Sequence, residues 1–193
     1  MSQSYEIDMC HGPLFGKIIR FSIPLMLSGI LQLLFNAADI IVVGRFVGST
    51  ALAAVGSTSS LINLLINLFI GFSVGANVLV ARFHGAGRDD EVNETVHTAI
   101  TLSMVSGIFL LILGVTVTRT LLIWMGSPDD VLDQSSLYLK IYFLAMPATL
   151  LYNFGSSILR AVGDTKRPLF YLVTAGIINV SLICFLLLFV IWV

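Results

Sequence analysis

The sequence predicts an all-α, polytopic helical membrane protein with five transmembrane helices, on three observations. Of its 193 residues, 57% are hydrophobic and 11% charged, whereas an ordinary soluble domain carries about 25% charged residues. Five apolar runs recur along the chain, each close to the roughly 20 residues that a helix needs to cross the hydrocarbon core of a bilayer. Basic residues also sort by side. Threaded from a cytoplasmic N-terminus, the chain leaves Lys17, Arg20, Arg82, Arg88, Arg160, Lys166 and Arg167 inside and only Arg45, Arg119 and Lys140 outside. That bias orients a multi-pass protein of the cell membrane with its N-terminus cytoplasmic and its fifth run ending outside.

Residues 1–20 read as a polar lead-in that turns helical after Gly12-Pro13, with Lys17 and Arg20 flanking the first span. They contain no short apolar core followed by a small-residue cleavage site, so the first helix is expected to stay as an anchor. The first run, residues 21–43, reads FSIPLMLSGILQLLFNAADIIVV and holds a single carboxylate, Asp39. A charge at the centre of a spanning helix costs about 2.5–3.5 kcal/mol on insertion scales. Gln32, Asn36 and Asp39 are spaced i, i+4, i+7, which aligns them on one helix face as a polar stripe about 10 Å long. Such a stripe must face protein or water. One reading is a proton or cation site lining a cavity; the other is a carboxylate that only joins its helix to a neighbour by hydrogen bonds. Pro24 lies inside this run, where its missing N–H frees the carbonyl of Arg20 and permits a bend, although a proline in a first turn is tolerated without one. Gly44, Gly48 and Ser49-Thr50 then end the helix, and ALAAVG reads as a short interfacial piece.

The second run, residues 59–82, is rich in small and amide residues: Asn63, Asn67, Gly71, Ser73, Gly75 and Asn77. Small residues let helices approach closely in lipid, and Asn63 and Asn67 share a face at i, i+4, which predicts a packed, inward-facing helix. Its GFSVG matches the nucleophile-elbow pattern around Ser73. That elbow needs a strand-to-helix turn and a base, and neither is present in an uninterrupted apolar helix. HGAGRDDEVNE follows as a polar loop whose acidic end suits the first turn of a third helix. Glu94 and His97 form one isolated E-x-x-H, whereas carboxylate-bridged metal sites in bundles need two such motifs and two further glutamates.

The third span covers residues 95–124 and ends on Arg119 and Trp124 at its far interface. WMGSPDDVLDQSS is a turn and helix start. The fourth span, residues 137–159, contains Pro147, which frees the carbonyl of Phe143, and carries Tyr142, Tyr152 and Asn153 as polar handles. RAVGDTKRP leads into the fifth run, residues 169–193, with Asn179, Ser181 and an interfacial Trp192. A net charge of −1 without any Lys/Arg-rich tract argues against nucleic acid as a partner. Cys10 and Cys184, far apart in the threading, form no disulfide or metal framework.

LQLLFNAADIIVVGRFVGSTALAAVG, GFSVGANVLVARFHGAG and LRAVGDTKRP, in this order and topology, resemble the first helix and outer loop, the end of the second helix and the fourth-to-fifth loop of the multidrug and toxic compound extrusion transporters. The resemblance covers nearly the whole chain. It implies a secondary antiporter of two six-helix lobes that exports organic, often cationic compounds in exchange for protons or sodium, with no other cofactor and no enzymatic step. Residues 1–193 would then be the amino-terminal lobe, truncated before its sixth helix, with the second lobe as a missing partner beside the lipid bilayer. By the same likeness Asp39 is the first-helix carboxylate of the lobe cavity, Gln32 and Asn36 stand beside it, and Asn179 faces it from the fifth helix. Asn153 and Tyr152 add to that cavity, and Pro24 and Pro147 are the bending positions. Many members carry an acidic residue one turn after the position of Asn179, where this sequence has Ile183. Asp39 is then left to capture a proton or cation with amides.

Two rival readings remain at this level. A lipid-linked oligosaccharide flippase of the same superfamily would need cavity basic residues to hold a pyrophosphate, and none of the ten Lys and Arg residues lies mid-span. A structural or assembly membrane protein would transport nothing.

Overall fold

A computed structural model describes residue 7 and residues 12–192, except the side chains at 47, 184 and 186–192. Its elements are α1 (Leu14–Val42), a π-helical turn (Val43–Val47), α2 (Ser49–Gly85), α3 (Asp89–Trp124), α4 (Asp129–Ala161) and α5 (Lys166–Trp192), with no strand among the described residues. At 1.5 Å per residue even the 27 residues of α5, the shortest of the five, reach about 40 Å, beyond the roughly 30 Å of hydrocarbon. The helix ends therefore project into the headgroup region, where the charged first turns of α3 and α4 belong.

The boundaries follow local chemistry. After α2, Gly87 takes φ +67°, and its N–H donates to His84 O while that of Arg88 donates to Phe83 O. Gly126, at φ +73°, closes α3 in the same way, with Ser127 N–H donating to Leu122 O. Both are Schellman caps, which satisfy the last free carbonyls of a helix by placing a left-handed residue just past its end. Asp89, Asp90 and Glu91 open α3 and Asp129 and Asp130 open α4, each against the positive end of a helix dipole. Asp164 caps α5: its Oδ1 accepts the N–H groups of Lys166 and Arg167, both at 3.1 Å.

Three expectations are corrected here. ALAAVG is not a separate interfacial piece but lies within α2, because Gly48, at φ +110°, makes the break and alanine-rich sequence propagates helix. The polar loops shrink to residues 86–88 and 125–128, since their acidic halves join the following helices. Asn63 and Asn67 are not on the packed side: Asn63 is exposed and the buried face of α2 is Ala54, Thr58, Ile62, Ser73 and Val80. Asn63 stands one residue beyond Ile62, about 100° around the helix, so the amides point away from the bundle.

The chain divides into two compact units, Ile40–Val162 and the pair Met1–Asp39 with Gly163–Val193. In the first, α4 packs against both α2 and α3. Ile62, Leu110, Leu122, Leu132, Leu139, Phe143, Met146 and Leu150 form its core. The contact face of α3 runs Ala99, Ser103, Gly107, Leu110, Gly114, Thr118 and Leu122, a stripe of small residues that lets the neighbouring backbone come close. A Cβ on Gly107 would lie 2.5 Å from Pro147 Cα, and one on Gly114 would overlap the Phe143 ring. Pro147 thus sits inside an unbroken α4 with Gly107 pressed against it. Hydrogen bonds add to the packing. Asn77 Nδ2 donates to Ser157 O at 2.6 Å, Ser157 Oγ to Ser73 O at 2.9 Å, and the hydroxyls of Ser57 and Ser135 lie 3.1 Å apart.

In the second unit, Ile7 N–H donates to Gly163 O at 3.3 Å, and the Phe35 ring lies where a Cβ of Gly176 would be. These contacts advance in the same direction along both segments, as in two helices running parallel.

Helices Leu14–Phe46, Ser49–Gly85 and Asp89–Trp124 are long and apolar enough to cross a membrane. In α4 the serines and tyrosines that face its neighbours dilute the apolar run, and the end of α5 lies beyond the described side chains.

Candidate functional site

Asp39 stands in the last turn of α1, half-buried, with Oδ1 buried and without a hydrogen-bond partner. Gln32 and Asn36 are exposed. The helix geometry accounts for the difference. At about 100° per residue, Phe35 lies roughly 40° to one side of Asp39 and Asn36 roughly 60° to the other. Phe35 is seated on Gly176 of α5, so one flank of the stripe is packed and the other open. Asp39 lies one turn after Phe35, and Asn179 one turn after Gly176. The shared contact therefore brings the two residues to the same level on neighbouring helices. Asn179 itself is exposed and makes no hydrogen bond to Asp39 Oδ1.

Below the stripe, Pro24 is the buried residue of α1, and its carbonyl accepts the Ser28 hydroxyl at 2.8 Å. Tyr152, Asn153 and Pro147 are half-buried on α4, in the bundle of α2 to α4. Ser73, the serine of GFSVG, is buried in α2 and donates to Ile70 O. Glu94 and His97 are both exposed near the start of α3. Among the described residues, no three His, Cys, Asp or Glu side chains gather as a metal site.

The sequence reading missed two features of this architecture. The first is the clamp of Asn77, Ser73 and Ser157, hidden because a lone asparagine does not disclose its partner 80 residues away. The second is the small-residue face of α3, whose Ser103 and Gly107 at i, i+4 are a legible small-xxx-small signal.

The family model named MatE matches residues 24–185, which include every candidate of the stripe. The chain belongs to the MatE family. Similar proteins include the probable multidrug resistance protein YoeA of Bacillus subtilis, 35% identical over 87% of this chain and 36% of that protein. The FAD transporter of Shewanella oneidensis is 27% identical over 88% of this chain and 37% of its own length. Among solved structures, a point mutant of a MATE protein superposes with TM-score 0.85 at 26% identity, over 95% of this chain and 40% of that one. A MOP superfamily transporter from Pyrococcus furiosus, described as having a binding pocket of reversed polarity, gives TM-score 0.81 at 28% identity over 86% and 37%. This MatE chain thus spans well under half the length of the proteins it matches, and its helical membrane fold is theirs.

Proposed function

We propose that this chain is the amino-terminal part, five helices of a six-helix lobe, of a secondary-active exporter. The exporter moves organic, often cationic compounds outward across the cell membrane in exchange for protons or sodium. The observation that carries this reading is Asp39, a carboxylate in an apolar helix with one buried oxygen that nothing among the described residues satisfies. An intramembrane carboxylate held at a cost of this kind is retained for a cation or a proton. Ionised, it attracts one; neutralised, it no longer opposes moving its helix face into drier surroundings. Gln32 and Asn36 lie open beside it as amide ligands, and Asn179 stands level with it on α5. Pro24, well inside α1, is where such a change would bend the helix, and the second lobe would complete the cavity. Binding and alternating access account for the activity without any enzymatic step.

The test uses the complete protein in vesicles. Asp39→Asn keeps size and hydrogen-bonding capacity but removes the titratable charge. Export driven by an imposed proton or sodium gradient should be lost, while membrane abundance and unfolding temperature hold. Full export by the Asn variant would reduce Asp39 to a packing residue. The gradient that drives wild-type export identifies the coupling ion.

A further inference from the structure

A groove of about 430 Å³ opens between α2 and α3, with Phe154 of α4 also lining it. Its α3 wall changes from charged to apolar along its length, while its α2 wall is apolar throughout. Along α3 it begins at Glu91 and Glu94, passes Thr95 and Thr98, and ends at Leu102; along α2 it runs from Phe83 through Leu79 to Phe72. The stretch of α2 from Phe83 to Phe72 covers roughly 16 Å, so the groove reaches from the charged turn between the helices into the depth of the hydrocarbon. Phe72, Leu79 and Leu102 are 54%, 45% and 47% exposed, which leaves the apolar wall open.

The charges at the mouth are also partly matched. Arg88 lies over the Phe83 ring, 5.4 Å from its centroid, and forms an ion pair with Glu91. Their charges cancel, leaving Glu94, exposed at the rim, as the net negative charge of the groove's lining. An occupant must therefore be amphiphilic along the membrane normal, with an apolar tail for the α2 wall and a head whose outer group is cationic. A headgroup of net negative charge would meet Glu94 without compensation. One that ends in an ammonium would set that group against Glu94 and carry no net negative charge into the groove.

We propose that the α2–α3 groove is a lipid site selective for a phospholipid with a terminal ammonium, phosphatidylethanolamine, bound with one acyl chain along Phe72, Leu79 and Leu102. The inference stands apart from transport and does not use Asp39.

The test uses the complete protein in bilayer vesicles at high lipid-to-protein ratio, with its native tryptophans, Trp124 and Trp192 among them, changed to phenylalanine and Phe72→Trp supplying a reporter in the groove. Brominated acyl chains quench tryptophan on contact. Brominated phosphatidylethanolamine should out-compete brominated phosphatidylglycerol at the reporter by about threefold, the factor a favourable exposed charge pair gives. Glu94→Gln should bring the ratio to one. A second reporter, Leu102→Trp, should give the same result, and Ile112→Trp, outside the groove, should show no headgroup preference. Three results would each overturn the proposal: equal quenching by both lipids with Glu94 intact, a preference that survives Glu94→Gln, or the same preference at 112. Quenching by neither lipid would mean that protein fills the groove, and would overturn it as well.

Discussion

Replacing Gly107 by alanine tests how the bundle of α2 to α4 is held. The added Cβ would lie 2.5 Å from Pro147 Cα and 3.2 Å from both Pro147 N and Cβ. Optimal separation between carbon atoms is about 3.5–4.0 Å, so α3 and α4 must part by roughly 1 Å or more at this point. The obstructing atoms belong to backbone and a proline ring, so no side-chain rotation relieves the overlap. Overpacking of this kind costs about 1–3 kcal/mol. Against it stands the gain from replacing a helical glycine by alanine, at most about 1 kcal/mol. Gly75→Ala isolates that gain, because a Cβ there meets nothing within 4 Å. In reversible unfolding of the reconstituted chain, Gly107→Ala should therefore fall about 1–3 kcal/mol below Gly75→Ala. Equal stability of the two variants would show that α3 and α4 do not meet through Gly107 and Pro147.

Two further outcomes follow from the same architecture. Asp164→Ala should cost about 0.5–2 kcal/mol as a lost N-cap and speed hydrogen exchange at the amides of Lys166 and Arg167, while Asp164→Asn, which keeps the acceptor, should leave those amides protected; unchanged exchange in the alanine variant would refute the cap. Topology can be read by cysteine labelling in a background lacking Cys10 and Cys184: Ser127→Cys should react from outside and Asp90→Cys only after permeabilisation, with the reverse pattern overturning the cytoplasmic N-terminus. Thr165 is unsuitable as an inside reporter because it is only 1% exposed.

The five helices were legible because bilayer thickness forces long apolar runs, a signal that needs no knowledge of tertiary contacts. Polar residues within those runs could be located but not paired. Asn63 and Asn77 look alike in sequence, yet the first is exposed while Asn77 reaches Ser157 of α4. The difference is a matter of helix rotation, which the packing of α4 decides. Pro147 was likewise visible as a breaker, but Gly107, its close neighbour on α3, lies 40 residues earlier. At the stripe, spacing sufficed to align Gln32, Asn36 and Asp39, since i, i+4, i+7 is a property of one helix. Which flank of the stripe is packed depends on Phe35 meeting Gly176, a contact between elements that no local pattern announces.

Assembly in the membrane carries a consequence of the way α4 is built. Its inward face holds Ser135, Ser136, Ser156 and Ser157, all buried, and it also carries Lys140. On its own, that helix would meet lipid with hydroxyls that α2 and α3 cover in the bundle. A translocon samples one segment at a time by its partition into lipid, and α4 is poorly suited to enter unaccompanied. The short turn at residues 125–128 keeps α3 beside it, so the two are expected to leave as a hairpin. A lesion on the small-residue face of α3 would then appear first as α4 left outside the bilayer, before any loss of stability in the finished bundle could be measured.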